Sequence, residues 1–300
     1  MQFSSRLYRD YTDLEQMRRF LIRARARQGH LGGYFHVGDL LWRMFSNGWF
    51  RPKQDIRLWF DSTETLVGFA WYDGRSHALD IQAFPRHTAL EQEMLAWGES
   101  CLLAGTNGNG RKQLITPALD SDSERIALLT EMGYERQKQF YYHYLRPLPP
   151  NSLTPQLPPG FTLRHLNDED VPAKVALHRA AFHPSPMTEE IYTGVRQAPG
   201  YIPELDLVVV APDGRFAAFC ICWMDPVNRI GEFEPVGTHP DFQKQGLAQS
   251  VMTAGLQRMQ AFGADQALVL TPGSNQAAQA LYQSLTFKAA ARDFDYMKQF

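Results

Sequence analysis

The feature that most constrains this chain is the run PLPPNSLTPQLPPG, residues 147–160. Proline fixes φ and removes a backbone donor, so the run reads as an extended connector rather than part of a sheet. It divides the 300 residues into two halves of similar length, each of ordinary domain size. The predicted domains are residues 1–146 and 161–300, joined by a linker at 147–160. With 44% hydrophobic and 12% aromatic residues, each half can bury its own core.

The halves share one order of elements. Each opens with a short strand and a polar turn into a helix, SSRLYRDYTDLEQMRRFLIRARAR from Ser4 and GFTLRHLNDEDVPAKVALHRAAF from Gly160. Two apolar β-type runs around a turn follow, at 56–60 and 66–72 and again at 205–211 and 216–223. Each half closes with a helix, a turn and an aromatic-rich strand. ALLTEMGYERQKQFYYHYL, from Ala127, and ALYQSLTFKAAARDFDYMKQF, from Ala280, stand 153 positions apart. Such self-similarity marks a duplicated α+β unit.

In the second half, strands are predicted at 161–165, 205–211, 216–223, 231–238, 266–270 and 294–297. Helices are predicted at 168–182, 188–197, 246–262 and 275–285. Ala248, Met252, Leu256 and Met259 give the third of these its helical spacing. The expected unit is a mixed, mostly antiparallel sheet flanked by helices, one of which crosses between adjacent strands.

Net charge is −2, which argues against a nucleic-acid or membrane-surface binder, since both need a basic excess. Cys101, Cys220 and Cys222 are sparse and odd in number, and read as reduced thiols. Cys220 and Cys222 would share one strand face as small core residues. The opening MQFSSRLYRDYTDLEQ lacks the apolar segment of a signal peptide. No uncharged stretch approaches the roughly 20 apolar residues of a membrane span. The expectation is a soluble, cytoplasmic monomer or homodimer with no nucleic-acid, membrane or metal partner.

The strongest chemical signal is EPVGTHPDFQKQGLAQSVM, from Glu234 to Met252. A strand ends near Thr238, Pro240 punctuates it, and a polar loop runs through Gly246 into a long amphipathic helix. Backbone N–H groups of Gln245, Gly246, Leu247 and Ala248 then point outward at a positive helix terminus, an anion site. Gly246 lets the backbone approach a phosphate without a Cβ in the way, and Ala248 is small.

Gln243-Lys244-Gln245-Gly246-Leu247-Ala248 resembles the Q/R-x-x-G-x-G/A pyrophosphate motif of the GNAT superfamily of N-acetyltransferases. Residues 275–287, NQAAQALYQSLTF, are similar to that family's N-x-x-A-x-x-L-Y-x-x-x-G-F segment. Thr286 departs from it, standing at the usual glycine. The resemblance covers about 140 residues and implies an α+β fold of two tandem GNAT-like domains. It implies acetyl-coenzyme A as co-substrate and a primary amine on a small molecule or peptide as acceptor. The backbone of Val236, Gly237 and Thr238 would pair with the pantetheine where strands 231–238 and 266–270 splay. The pyrophosphate would rest on Gln243–Ala248, and Asn275 would hydrogen-bond nearby.

Tyr282 would protonate the departing sulfur, since a phenol with a pKa of about 10 stays protonated when buried. Glu232 and Glu234 share a strand face, and either could take the amine proton directly or through water. Glu234 is the choice, because family members often carry a glutamate with that role on this strand. A non-catalytic acyl-coenzyme A-binding module and an O- or S-acyltransferase are the alternatives on the same fold. Phe182, Tyr192 and Trp223 are pocket-lining or core residues, and His239 reads as a turn residue.

The first half differs. At the 153-residue offset Tyr282 corresponds to Leu129 and Asn275 to Asp122. No glycine opens its strand-to-helix passage within residues 82–100, where Ala89, Leu90 and Glu91 stand instead. A glutamate there competes with phosphate. This half reads as a degenerate copy that has lost cofactor binding and serves as scaffold or as a wall of the acceptor pocket.

Overall fold

The structure, a computed structural model, describes residues 3–29, 33–84, 87–105, 112–149 and 154–300. Linker positions 150–153 and residues 85–86, before the helix that carries Ala89, lie outside them. The first half runs β1 (Ser4–Leu7), α1 (Tyr11–Gln28), α2 (Val37–Ser46), α3 (Pro52–Asp55), β2 (Ile56–Phe60), β3 (Leu66–Asp73), β4 (Ala78–Ala83), α4 (Thr88–Ala104), β5 (Gln113–Leu119), α5 (Ser123–Glu131) and β6 (Glu135–Pro147). The second half runs β7 (Thr162–His165), α6 (Val171–Ala181), α7 (Glu189–Arg196), β8 (Asp206–Val210), β9 (Phe216–Asp225), β10 (Ile230–Thr238), α8 (Leu247–Ala261), β11 (Gln266–Pro272), α9 (Gln276–Ser284) and β12 (Lys288–Gln299).

These strands form one sheet, in the order β1-β2-β3-β4-β5-β12-β6-β11-β10-β9-β8-β7. Pairing is antiparallel except for β4 with β5 and β10 with β11. The closing strands are exchanged between the halves. β12 pairs with β5 from Asp293↔Leu119 to Gln299↔Gln113, whereas β6 pairs with β11 from Gln266↔Pro147 to Pro272↔Tyr141. β6 and β12 pair with each other at the centre.

Aromatic side chains drive the exchange. Tyr144 of β6 is buried in the second-half core beside Tyr282 and Phe287, and Phe294 and Tyr296 of β12 are buried in the first-half core. Burying such a side chain contributes roughly 1.5–3 kcal/mol. The sequence led to a short last strand at 294–297, because KAAAR before it has weak β propensity. The ladder to β6 carries it back to Lys288, and that to β5 joins at Asp293. Pro147, first residue of the expected connector, is also the last of β6, a strand terminus where its missing donor is tolerated.

One face of the sheet carries α1, α2, α6 and α7 over a single core that crosses the halves, with Leu14, Phe20 and Leu41 joined to Tyr192, Val195 and Trp223. The other face carries α4 and α5 over the first half and α8 and α9 over the second. β9 shows the division, with Phe219, Ile221 and Trp223 turned to the shared core and Cys220 and Cys222 to the α8 side. Tyr192 and Trp223 are therefore core residues, while Phe182 is 40% exposed.

The duplication extends to individual bonds. Arg6 grips Asp13 with two bonds of 2.6 and 2.7 Å, and Arg164 grips Asp170 with bonds of 2.5 and 2.9 Å. The helix expected at 168–182 accordingly starts with a 3-10 turn at Asp168–Asp170 before α6. After α5, Gly133 N–H bonds Thr130 O and Tyr134 N–H bonds Leu129 O; after α9, Thr286 N–H bonds Gln283 O and Phe287 N–H bonds Tyr282 O. Gly133 takes φ +84° there and Thr286 φ +61°. A β-branched residue is strained in that region. Thr286→Gly is expected to raise stability by about 1 kcal/mol, read as an increased midpoint in urea unfolding.

Candidate active site

β10 and β11 pair in parallel only at Ile230↔Gln266, Gly231↔Ala267 and Glu232↔Leu268. Beyond Glu232 each keeps only its outer neighbour, β9 or β6, so a gap opens between them. The cause is local: Pro235 has no N–H, and the β10–β9 register shifts between Phe233 and Val236. Glu234, Val236 and Thr238 are half-buried along this edge, alternating with buried Pro235 and Gly237. A Cβ at Gly237 would lie 2.5 Å from the Phe219 ring and 3.0 Å from Ala181, so packing demands this glycine.

Past β10, His239 accepts the Asp241 N–H at 3.1 Å and caps a short 3-10 turn, as a turn residue does. Gln243, Lys244, Gln245 and Gly246 are exposed, Ala248 is half-buried, and Leu247 anchors the start of α8 in the core. Lys244 at φ +61° and Gly246 at φ +76° are both left-handed. A Cβ at Gly246 would meet nothing within 4 Å, so conformation, not crowding, selects glycine over this open loop. No side chain caps α8, whereas Asp10, Asp122, Thr188 and Asn275 cap α1, α5, α7 and α9. Open space above uncapped amides fits an anionic diphosphate. Asn275 is exposed, and its Oδ1 accepts the Ala278 N–H at 3.1 Å.

Tyr282 lies on α9 with its ring 5.8 Å from Tyr144 and 6.1 Å from Phe287. Its hydroxyl has no hydrogen-bond partner among the described residues. Burial, then the charge of Glu234, pushes its pKa above the ordinary phenol value. Glu234 also lacks a side-chain partner among the described residues, while its carbonyl receives the Trp223 indole N–H at 2.7 Å. Burial first, then Asp39 and Glu232, pushes the Glu234 carboxyl up to about 8, against the pull of Arg43.

Glu232 has a different environment. Its Oε2 lies 3.0 Å from His36 Nδ1, and both side chains are buried. Burial and then Arg25 push His36 down to about 3, so the imidazole is neutral. Nε2 faces the Ile230 carbonyl at 3.3 Å and Nδ1 accepts the Gly38 N–H at 3.0 Å. The Nδ1 lone pair is taken by Gly38, Glu232 Oε2 makes no hydrogen bond among the described residues, and burial, then Asp39, raises the Glu232 pKa. Glu232 is thus sealed against the first half, while Glu234 faces the gap.

Several charged residues near Glu234 were not singled out in the sequence. Arg43 Nε bonds Asp39 Oδ1 at 2.9 Å and its Nη1 bonds Asp80 Oδ2 at 2.8 Å. Asp293, Asp295 and Tyr141 border the same region, with Asp295 pushed up to about 6 by burial, then Asp293 and Asp80. Asp39 and Arg43 show only the i, i+4 spacing of any solvated helix, and Asp293 reaches the region because β12 is exchanged.

The first-half gap between β4 and β5 is filled from within. Arg125, offset by 153 from Ala278, bonds Glu91 at 2.9 Å and the Ile81 carbonyl at 3.3 Å. Its guanidinium takes the strand-edge acceptor that a bound amide would need.

Residues 172–287 match the model of the Acetyltransferase (GNAT) family. The chain is 31% identical over 146 residues to a mycothiol acetyltransferase of Clavibacter michiganensis subsp. michiganensis, an alignment covering 47% of each. It thus spans about half the length of such curated relatives. In structure it is similar to a GCN5-related N-acetyltransferase from Sphaerobacter thermophilus, with TM-score 0.70, 18% identity and coverage of 99% of this chain and 95% of that one. It is also similar to a tandem GNAT protein from the clavulanic acid biosynthesis pathway, with TM-score 0.69, 14% identity and coverage of 99% and 98%. The fold is two tandem GNAT-like domains. No helix among the described residues is long and apolar enough to cross a membrane.

Arg125→Ala is expected to cost about 3 kcal/mol by urea unfolding, because Glu91 stays buried without that cation. Adding Glu91→Ala should recover part of the loss; wild-type stability in the single variant would show that the pair contributes nothing.

Proposed function

We propose, on the premise that the second half of this chain belongs to the GNAT acetyltransferase family, that the protein is an acetyl-coenzyme A-dependent N-acetyltransferase acting on a primary amine. One observation carries the reading. The gap between β10 and β11 leads from the uncapped turn at Gly246 to a place where the Tyr282 phenol lies within the field of the Glu234 carboxyl. Catalysis is assigned to residues 161–300, residues 147–160 are the linker, and residues 1–146 are the degenerate copy.

Acetyl-coenzyme A supplies the acyl group as a thioester. Amides of Gln245, Gly246, Leu247 and Ala248 bind its diphosphate, aided by Gln243 and Lys244, and the edge of Val236, Gly237 and Thr238 pairs with its pantetheine as an added strand. Asn275 serves the site by capping α9, which carries Tyr282. The Val236 N–H stabilises the developing oxyanion. Glu234 removes the proton of the acceptor amine and Tyr282 gives one to the leaving sulfur. Asp39, Asp80, Asp293 and Asp295 make the surroundings of Glu234 negative, which attracts an acceptor arriving as an ammonium ion. The acceptor is a small molecule or peptide, as with the relatives named for mycothiol. Free Cys101, Cys220 and Cys222 suit a reducing cytoplasm.

Titration calorimetry with acetyl-coenzyme A should give one site per chain. Gly246→Val should weaken it at least about tenfold, since a β-branched residue disfavours the left-handed turn. Unchanged affinity would remove the loop from the site. Binding without thiol release across amine and alcohol panels would mark a non-catalytic module, and release with alcohols alone an O-acyltransferase.

The pH dependence has a definite sign. A base must be ionised, and Glu234 sits at about 8, so kcat/KM should climb with pH and level off near that value. Glu234→Gln should lack this limb. Tyr282→Phe should lower kcat at neutral pH and leave cofactor affinity alone; wild-type turnover would exclude the tyrosine.

A further inference from the structure

The two halves meet tightly beside Glu234. α2 packs on α7, β9 and β10. A Cβ at Gly38 would stand 2.3 Å from the Trp223 Cβ and 2.9 Å from Glu232 Oε2, so only glycine allows this approach. At the N-terminus of α2, His36 reaches the Ile230 carbonyl at 3.3 Å. Asp39 follows Gly38 directly and Arg43 lies one turn further along the same helix, which packs on β10, and both act electrostatically on Glu234.

The Arg43 guanidinium is fixed on three sides by its own half. Asp39 holds Nε at 2.9 Å, Asp80 on β4 holds Nη1 at 2.8 Å, and the group lies 4.5 Å from the centre of the Phe35 ring. The side chain remains 36% exposed, so it borders the opening instead of being sealed in the interface. Glu234 is faced by Asp39 and Arg43 from α2, Glu232 from its own strand, Tyr282 from α9 and Tyr141 from β6, with Asp80 of β4 and Asp293 and Asp295 of β12 bordering the same region. Arg43 is the cation of this set. The Trp223 bond holds the Glu234 carbonyl, so the strand cannot readily move the carboxyl away.

We propose that Arg43, in the half that has lost its own cofactor gap, is a positioning residue for transfer in the other half: clamped between Asp39 and Asp80, it presents a fixed positive charge to Glu234. The proposal rests on the acetyltransferase reading, in which Glu234 is the base. It gives residues 1–146 a defined part in the reaction. Removing Arg43 takes away the attraction and leaves Asp39 and Asp80 facing Glu234 without their cation, so ionisation of Glu234 becomes harder. Removing the Asp39 charge has the opposite sign. Loosening of the interface would instead admit water and ease ionisation in both variants.

The test is a carbon-13 NMR titration of the free protein, labelled at the glutamate side-chain carboxyl carbons. The Glu234 resonance is the one that Glu234→Gln removes. Arg43→Gln should raise its midpoint by about one pH unit, Asp39→Asn should lower it by a similar amount, and Arg43→Lys should leave it near wild type. An unchanged midpoint in Arg43→Gln, or a shift of the same sign in Arg43→Gln and Asp39→Asn, overturns the proposal. Should Arg43→Gln fail to fold, Asp39→Asn and Arg43→Lys decide alone, and the absence of a downward shift in Asp39→Asn overturns it. The titration needs no turnover, so a protein that shows this coupling but releases no thiol from acetyl-coenzyme A contradicts the acetyltransferase reading and leaves the charge coupling intact.

Discussion

The exchange of β6 and β12 at the centre of the sheet is the constraint on which the remaining geometry rests. Each strand is hydrogen-bonded on both edges and commits aromatic side chains to the opposite half, Tyr144 in one direction and Phe294 and Tyr296 in the other. A break between the halves would strip ladders and cores together. The proline-rich connector therefore joins units that the sheet already fuses. Its described part is itself packed down, with Leu157 against the second-half core and the Gln156 carbonyl accepting from Ser250 at the start of α8.

Because the halves are fused, the charge around Glu234 is assembled from distant parts of the chain. α2 brings Asp39 and Arg43, β4 brings Asp80, and the exchanged β12 brings Asp293 and Asp295. The two glutamates of β10 are then distinguished by what covers them. Glu232 meets a neutral His36 in the buried interface, while Glu234, two residues along, reaches the strand gap. A shared strand face made them equivalent in sequence, and the partner half makes them unlike.

The same duplication has opposite outcomes at matching positions. Where the second half has Ala278, the first has Arg125, with a buried ion pair to Glu91 and a bond to the Ile81 carbonyl. A buried pair adds little net stability against a well-packed apolar alternative, yet losing one member is costly. Such a replacement is hard to reverse one residue at a time.

By itself the sequence determined what depends on local pattern. Periodicity located most strands and helices, the connector and the 153-residue offset exposed the duplication, and Gly246 before an amphipathic run identified the loop that opens α8. Strand alternation also put Cys220 and Cys222 on one buried face. The tertiary structure alone decided which half each closing strand joins, since hydrophobic alternation fixes the buried face of a strand but not its neighbours. It also decided that Arg125 fills one gap and that Asp39, Arg43, Asp80 and Asp293 gather near Glu234. Charges on separate elements carry no mark of their eventual proximity, because that proximity comes from long-range strand pairing and the packing of α2 on β10.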